Sequence, residues 1–301
     1  MAEIKFVKGK NYKINDEAMV KVVKYNGNKR IEIQTTNKRQ NNLKQNIKKL
    51  NKEEYLDMRT GEIKKYNLNY GKNNKGVKRA MKRFKKLLTN NFFGEQNELF
   101  ITFTCKEPVQ DVDKINSYFN KFWGKLQRRY KSLGFAYVIE MQKERESLHI
   151  HALIKDMGNS TLTIANNEIR ELWGKGFTKT NRISKSKEKI NEEDAIKQIE
   201  EDDENENEDE DEADAQEEYG IDAVISYMIK SDSKENIPQN KQLYHNSRCF
   251  QFPTVEEMKY KDALEKVKNK FFRKSEYTVL IQSEETGRIM NRHKTEIYES
   301  E

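Results

Sequence analysis

The sequence predicts an α+β fold, a central, mostly antiparallel sheet with helices packed on it and elaborations at both termini. Two observations carry this. Between residues 98 and 231 the apolar pattern switches between period two and period 3.6 in the order strand–helix–strand–strand–helix–strand–helix. Two of those strands, FAYVIEMQ (135–142) and LHIHALIK (148–155), are joined only by KERES, a length that suits an antiparallel hairpin. Helices are expected on one face of the sheet.

In chain order, MVKVVKYNGNKRIEIQ holds two β-type runs around Asn26-Gly27, a strong hairpin signal. A basic polar stretch follows, ending in the turn-like MRTGEIKKY. Over 74–93, Val77, Ala80, Met81, Phe84, Leu87 and Leu88 recur at helical spacing, while lysines and arginines fill the other face. That basic face is either solvated or laid along a phosphate backbone. ELFITFTC (98–105) reads as a strand with Phe100, Thr102 and Thr104 on one side and Ile101 and Phe103 on the other. The next helix carries a stripe through Ile115, Phe119, Phe122 and Leu126, widened by Tyr118, Trp123 and Tyr130, which reads as core. NNEIRELWGKG is a short helix stopped by glycine, and FTKTNRI a further strand. YGIDAVISYMIKS (219–231) is a helix with Ile221, Val224, Ile225 and Met228 apolar. Another helix is expected near 255–273, then a hairpin of EYTVLIQ and RIMNRHKTEIY turning at Glu285-Thr286-Gly287. The chain thus reads as an N-terminal hairpin and basic segment (1–73), a central domain (74–250) and a C-terminal helix and hairpin (251–301).

Charge is unevenly spread. Residues 192–218 hold 17 acids against the single base Lys197, so a chain of net +7 leaves +23 on its remainder. A body that basic points to a polyanion, most simply nucleic acid. The acidic run is of low complexity and reads as a disordered insertion. Two cysteines in unrelated contexts, Cys105 and Cys249, give no disulfide framework or cysteine-rich zinc site, so a reducing cytoplasm fits. The N-terminal MAEIKFVKGKNYK has no apolar core of a signal peptide, and no apolar run reaches membrane-spanning length; a soluble, intracellular protein with no membrane partner is expected.

LHIHALIK holds two of the chain's four histidines. In an extended strand residues i and i+2 share a face, so His149 and His151 project together while Leu148, Ile150 and Ala152 project into packing. A His-x-His pair alone arises freely. Glu140, in the preceding hairpin strand, folds back near them, and two imidazoles with a carboxylate make a plausible set for Mn²⁺ or Mg²⁺ with positions open to phosphate oxygens. Downstream, Tyr227 and Lys230 stand three apart, a phenol able to act as nucleophile and an ammonium able to stabilise developing negative charge.

A strand like FITFTC, a His-hydrophobic-His strand and a later Tyr-x-x-Lys, in that order, resemble the three motifs of HUH endonucleases, and more narrowly the rolling-circle replication initiators (Rep proteins) of plasmids and small phages. ELWGKGF and LYHNSRCF also resemble bacterial members. The resemblance covers about 98–250. In relaxases of conjugation the tyrosine precedes the histidine strand; here it follows, as in the initiators. The resemblance implies an HUH-type core, ferredoxin- or RRM-like, with His149, His151 and Glu140 on a divalent ion. It also implies Tyr227 attacking single-stranded origin DNA to leave a 5′-phosphotyrosine and a free 3′-hydroxyl, with Lys230 assisting. Two departures stand out. Many relatives have Arg-Gly where this chain has Arg145-Glu146, and the second tyrosine of some initiators is Ala223 here, implying a single-tyrosine enzyme with Tyr219 at most an aid. No G-x-x-x-x-G-K-[ST] occurs, so a host helicase would unwind the duplex for a DNA polymerase. Two other readings stay open: a non-catalytic DNA-binding regulator on a degenerate scaffold, and a metal-dependent phosphoesterase using water.

Overall fold

The computed structural model describes residues 4–35, 47–51, 54–58, 60–65, 75–142, 145–185, 218–230, 241–283, 287 and 289–300. The chain divides into two units, Met1–Gly71 with Pro253–Glu301, and Lys72–Phe252. The acidic run lies outside the described residues except for its last one, Glu218.

The first unit opens with β1 (Ile4–Gly9), β2 (Met19–Tyr25) and β3 (Arg30–Thr35), then β4 (Ile47–Lys49), β5 (Glu54–Asp57) and β6 (Ile63–Lys65), which form a small sheet of their own. The predicted hairpin is present: β2 and β3 pair antiparallel around Asn26, Gly27 and Asn28, whose φ of 48°, 59° and 76° are values that asparagine and glycine tolerate.

The second unit runs α1 (Lys75–Asn91), β7 (Glu98–Phe103), α2 (Val112–Arg129), β8 (Leu133–Gln142), β9 (Ser147–Asp156), α3 (Asn166–Trp173), β10 (Thr178–Ser184), β11 (Glu218–Gly220), α4 (Ile221–Ile229) and β12 (Tyr244–Asn246). Its sheet has the order β11-β10-β7-β9-β8-β12, antiparallel except for the edge pair β10–β11. The chain then returns to the first unit with β13 (Thr254–Lys259), α5 (Tyr260–Val267), β14 (Phe272–Ser283) and β15 (Ile289–Glu299). These strands join the N-terminal ones in a single sheet, β1-β14-β15-β3-β2-β13. The helix expected over 255–273 is therefore shorter, because its first residues pair with the open edge of β2 instead. Tertiary pairing overrides local period there.

Helices cover both faces of the second sheet, not one. Leu99, Ile101, Phe103, Ile139 and Ile150 pack on α2 and α3, while Phe100, Val138 and Leu153 pack on α1 and α4. Every residue of β9 is buried, which a strand covered on a single face cannot achieve. Helix α2 starts where Asp111 accepts from the backbone N–H of Asp113 at 2.8 Å, and α3 ends at Gly174 with φ 58°.

One polar cluster fixes the start of this sheet. The fully buried Glu98 accepts from Lys155 Nζ at 2.8 Å and from the backbone N–H groups of Phe93 (3.0 Å) and Gly94 (2.8 Å). Burial pushes its carboxyl above the usual range while Lys155 pulls it back. Glu98→Ala takes the nearest carboxylate from Lys155, which keeps Glu95 at 3.4 Å and the Asn91 carbonyl at 3.1 Å, and removes the acceptor of the Phe93 and Gly94 N–H groups; it is expected to cost about 3 kcal/mol in urea unfolding. A loss below about 1 kcal/mol would contradict this reading of the cluster.

Candidate active site

Three adjacent strands bring the candidate residues onto the sheet face beneath α1 and α4. In the β8–β9 ladder Glu140 stands opposite His149 and Val138 opposite His151; in the β7–β9 ladder Thr102 stands opposite His151. Directly paired residues share a face, so register alone puts the carboxylate and both imidazoles on one side. The histidines are 3% and 2% exposed. Glu140 Oε2 lies 3.5 Å from His151 Nε2.

Two residues that sequence reasoning leaves in the background orient the rings. Thr102 Oγ1 is 3.1 Å from His151 Nδ1, and Thr104 Oγ1 is 3.3 Å from His149 Nδ1. In the tautomer that donates Nδ1–H to threonine, both Nε2 atoms keep their lone pairs, the state required of a ligand. The signal for this was the i, i+2 threonine pair in FITFTC, on the face opposite Ile101 and Phe103. Thr104 is held in turn by its neighbours: its carbonyl accepts from Trp173 Nε1 at 3.0 Å and its N–H donates to Phe177 O at 3.0 Å.

Helix α4 supplies the phenol. Val224 and Met228 are fully buried against the sheet, and this seats Tyr227 with its hydroxyl 3.2 Å from His151 Nε2. Its ring packs edge-on to His151 at 5.0 Å and to Phe100 at 6.3 Å between centroids. Lys230 is the first residue past the helix, with ψ of 127°, and its backbone N–H donates to Tyr227 O at 3.1 Å. That bond holds it one turn from the tyrosine, although it no longer belongs to the same helical run. Tyr219 falls in β11, not on the helix, and packs edge-on against Phe100. Ala223 is buried in α4.

Electrostatics favour the neutral form of His149. Burial, then the proximity of His151 and Arg145, pulls His149 down to about 3, with Glu140 opposing. His149 Nε2 is buried with no hydrogen-bond partner among the described residues, which is the kind of orphaned atom a ligand satisfies. Glu140, His149 and His151 are nevertheless neighbours on one face and not a closed cage: among the described residues no three His, Cys, Asp or Glu side chains already converge to hold an ion.

The turn into β9 is strained at one residue. Glu146 has φ 46°, a conformation that glycine adopts freely. Glu146→Gly is expected to raise stability by up to about 1 kcal/mol in urea unfolding, and a loss would contradict the strain.

With this geometry established, comparison with known families gives a match. Residues 98–191 match the model of a replication-associated protein family, ORF2. The matched span runs from β7 past β10 and contains Glu140, His149 and His151; Tyr227 and Lys230 lie beyond it. The match supports a role in the initiation of replication. Comparison with curated proteins and with solved structures gave no match. Among the described residues no helix is long and apolar enough to cross a membrane.

Proposed function

We propose that this chain is an HUH-type initiator of rolling-circle replication, nicking and rejoining single-stranded origin DNA through a 5′-phosphotyrosine on Tyr227. The observation that carries the reading is the 3.2 Å approach of the Tyr227 hydroxyl to His151 Nε2, on the sheet face shared with Glu140 and His149. A pure binding protein has no need of a buried phenol set against paired buried imidazoles.

His149, His151 and Glu140 would hold Mn²⁺ or Mg²⁺, which when bound supplies Lewis-acid polarisation of a phosphate oxygen. By accepting from Nδ1–H, Thr102 and Thr104 would keep both Nε2 lone pairs aimed into the site. Tyr227 is anchored by its helix and its ring contacts, so its oxygen needs little reorganisation to meet phosphorus. As the phenolic O–P bond forms, the phenol loses its proton. The bond from phosphorus to the 3′ oxygen breaks, and that oxygen takes up a proton as the free 3′-hydroxyl from which a polymerase extends. Lys230, one turn away, adds positive charge for the crowded phosphoryl centre. Strand separation would fall to a host helicase.

The test is incubation of the full chain with Mn²⁺ and a pool of labelled single-stranded oligonucleotides tiled across the replicon's origin. A covalent protein–DNA adduct surviving denaturation supports the reading. Cleavage without adduct would favour a water-using phosphoesterase, and binding without cleavage a regulator.

A further inference from the structure

The sheet face opposite Tyr227 carries a second feature that the nicking chemistry does not use. Between α2 and the end of α3 lies an open cleft of about 450 Å³, lined by Tyr118, Lys121, Lys125, Arg128, Trp173 and Lys175 with Phe122 at its floor. That volume falls within the roughly 300–1,000 Å³ of small-molecule sites.

Three observations define its chemistry. The first is uncompensated charge. Lys121, Lys125, Arg128 and Lys175 all line the cleft, no acid does, and among the described residues none of the four has a carboxylate partner. Their neighbours are neutralised: Arg129 pairs with Glu168 at 2.7 Å, and Lys241 pairs with Asp113 at the start of α2. Four like charges gathered without counter-charge repel one another and favour a polyanionic ligand.

The second is an aromatic wall. Phe122 and Trp173 are buried beneath the cleft, and Lys175 Nζ stands 4.9 Å from the Tyr118 ring centroid, placing a cation beside an aromatic face. Lys125 Nζ is held by the Leu172 carbonyl at 3.2 Å. Metal ions are excluded as occupants by the charge, and a bare inorganic anion would leave the aromatic surface unused.

The third is Gly124, in the middle of α2 and on the cleft wall. A Cβ placed there meets no atom within 4 Å. Glycine at a helix interior costs about 1 kcal/mol relative to alanine and here serves no packing need. Its effect is to leave the helix backbone open to a ligand.

We propose that this cleft is a nucleotide-binding site, in which Lys121, Lys125, Arg128 and Lys175 hold phosphate oxygens and the partly exposed Tyr118 ring carries the base above a floor formed by the buried Phe122 and Trp173. The nucleotide is either free or one unit of a single-stranded DNA segment, and the shared chemistry is a phosphate with an attached ring.

The test uses the full chain carrying Trp123→Phe, which leaves Trp173 as its one tryptophan reporter, and Tyr227→Phe, which prevents covalent capture. Trp173 fluorescence is titrated with inorganic phosphate, thymidine monophosphate and a twelve-residue oligothymidylate. A saturable change with the oligonucleotide alone would place the nucleotide within a DNA strand; a change with the mononucleotide as well would show that a free nucleotide suffices, and either supports the site. Lys121→Ala/Arg128→Ala is expected to weaken binding at least tenfold. Gly124→Leu is expected to abolish it while leaving the urea unfolding midpoint unchanged or raised, so that loss of binding cannot be put down to unfolding. The proposal is overturned if none of the ligands changes Trp173 emission, if phosphate binds as tightly as the nucleotide, or if the variants bind like their parent.

Discussion

Tyr227→Phe is expected to abolish the covalent protein–DNA adduct and to lower strand cleavage by on the order of 10³-fold or more, since it removes the nucleophile itself. The fold should tolerate the change. The phenyl ring keeps the edge-on contacts to His151 and Phe100, while the 3.2 Å hydrogen bond to His151 is lost. A lost hydrogen bond of that kind is worth about 1 kcal/mol, so the variant should remain folded and bind single-stranded DNA close to wild-type affinity. Gel-shift binding, urea unfolding and adduct formation on the same preparation separate these effects. Cleavage persisting in Tyr227→Phe would transfer the chemistry to water.

Acid should unfold the metal-free protein through His149. Its folded-state value lies near 3, against an ordinary value of 6.5, chiefly because the ring is buried. Between these two values the unfolded chain binds a proton that the folded chain refuses. Stability therefore rises with pH across that window and is lost as pH falls from about 6.5 toward 3, by as much as about 5 kcal/mol in total. Urea midpoints measured from pH 7.5 to 4 in the presence of chelator should fall steadily, and His149→Phe should flatten the fall over this interval. Equal slopes in wild type and variant would contradict the assignment. The same preference for neutral imidazole keeps His149 competent as a ligand at neutral pH.

What the sequence made legible was local. The His149/His151 pair shares a face because strand geometry demands it, and the short KERES link between two apolar runs places Glu140 opposite His149. The stripe on α2 and the glycine stop of α3 likewise follow from spacing over a few residues. Long-range pairing was not legible. The 1–73 and 251–301 segments share one sheet through β1–β14, β2–β13 and β3–β15, contacts that leave no trace in local periodicity. The coverage of both sheet faces was also hidden, because FITFTC alternates apolar and polar residues like a one-sided strand. Its Thr102 and Thr104 are buried nonetheless, turned to the histidines and not to water. A threonine oriented toward solvent and one oriented toward an imidazole look alike until the neighbouring strand is known.

The central claim is that Tyr227 is the residue that takes the DNA. It is tested most directly by isolating the denaturation-resistant adduct, digesting protein and DNA, and sequencing the modified peptide by mass spectrometry. The expected result is a single nucleotide-bearing peptide spanning the YGIDAVISYMIK segment, with the 5′-phosphate on Tyr227. A modification on Tyr219 or any other residue, or a nicked strand with no modified peptide, would contradict it.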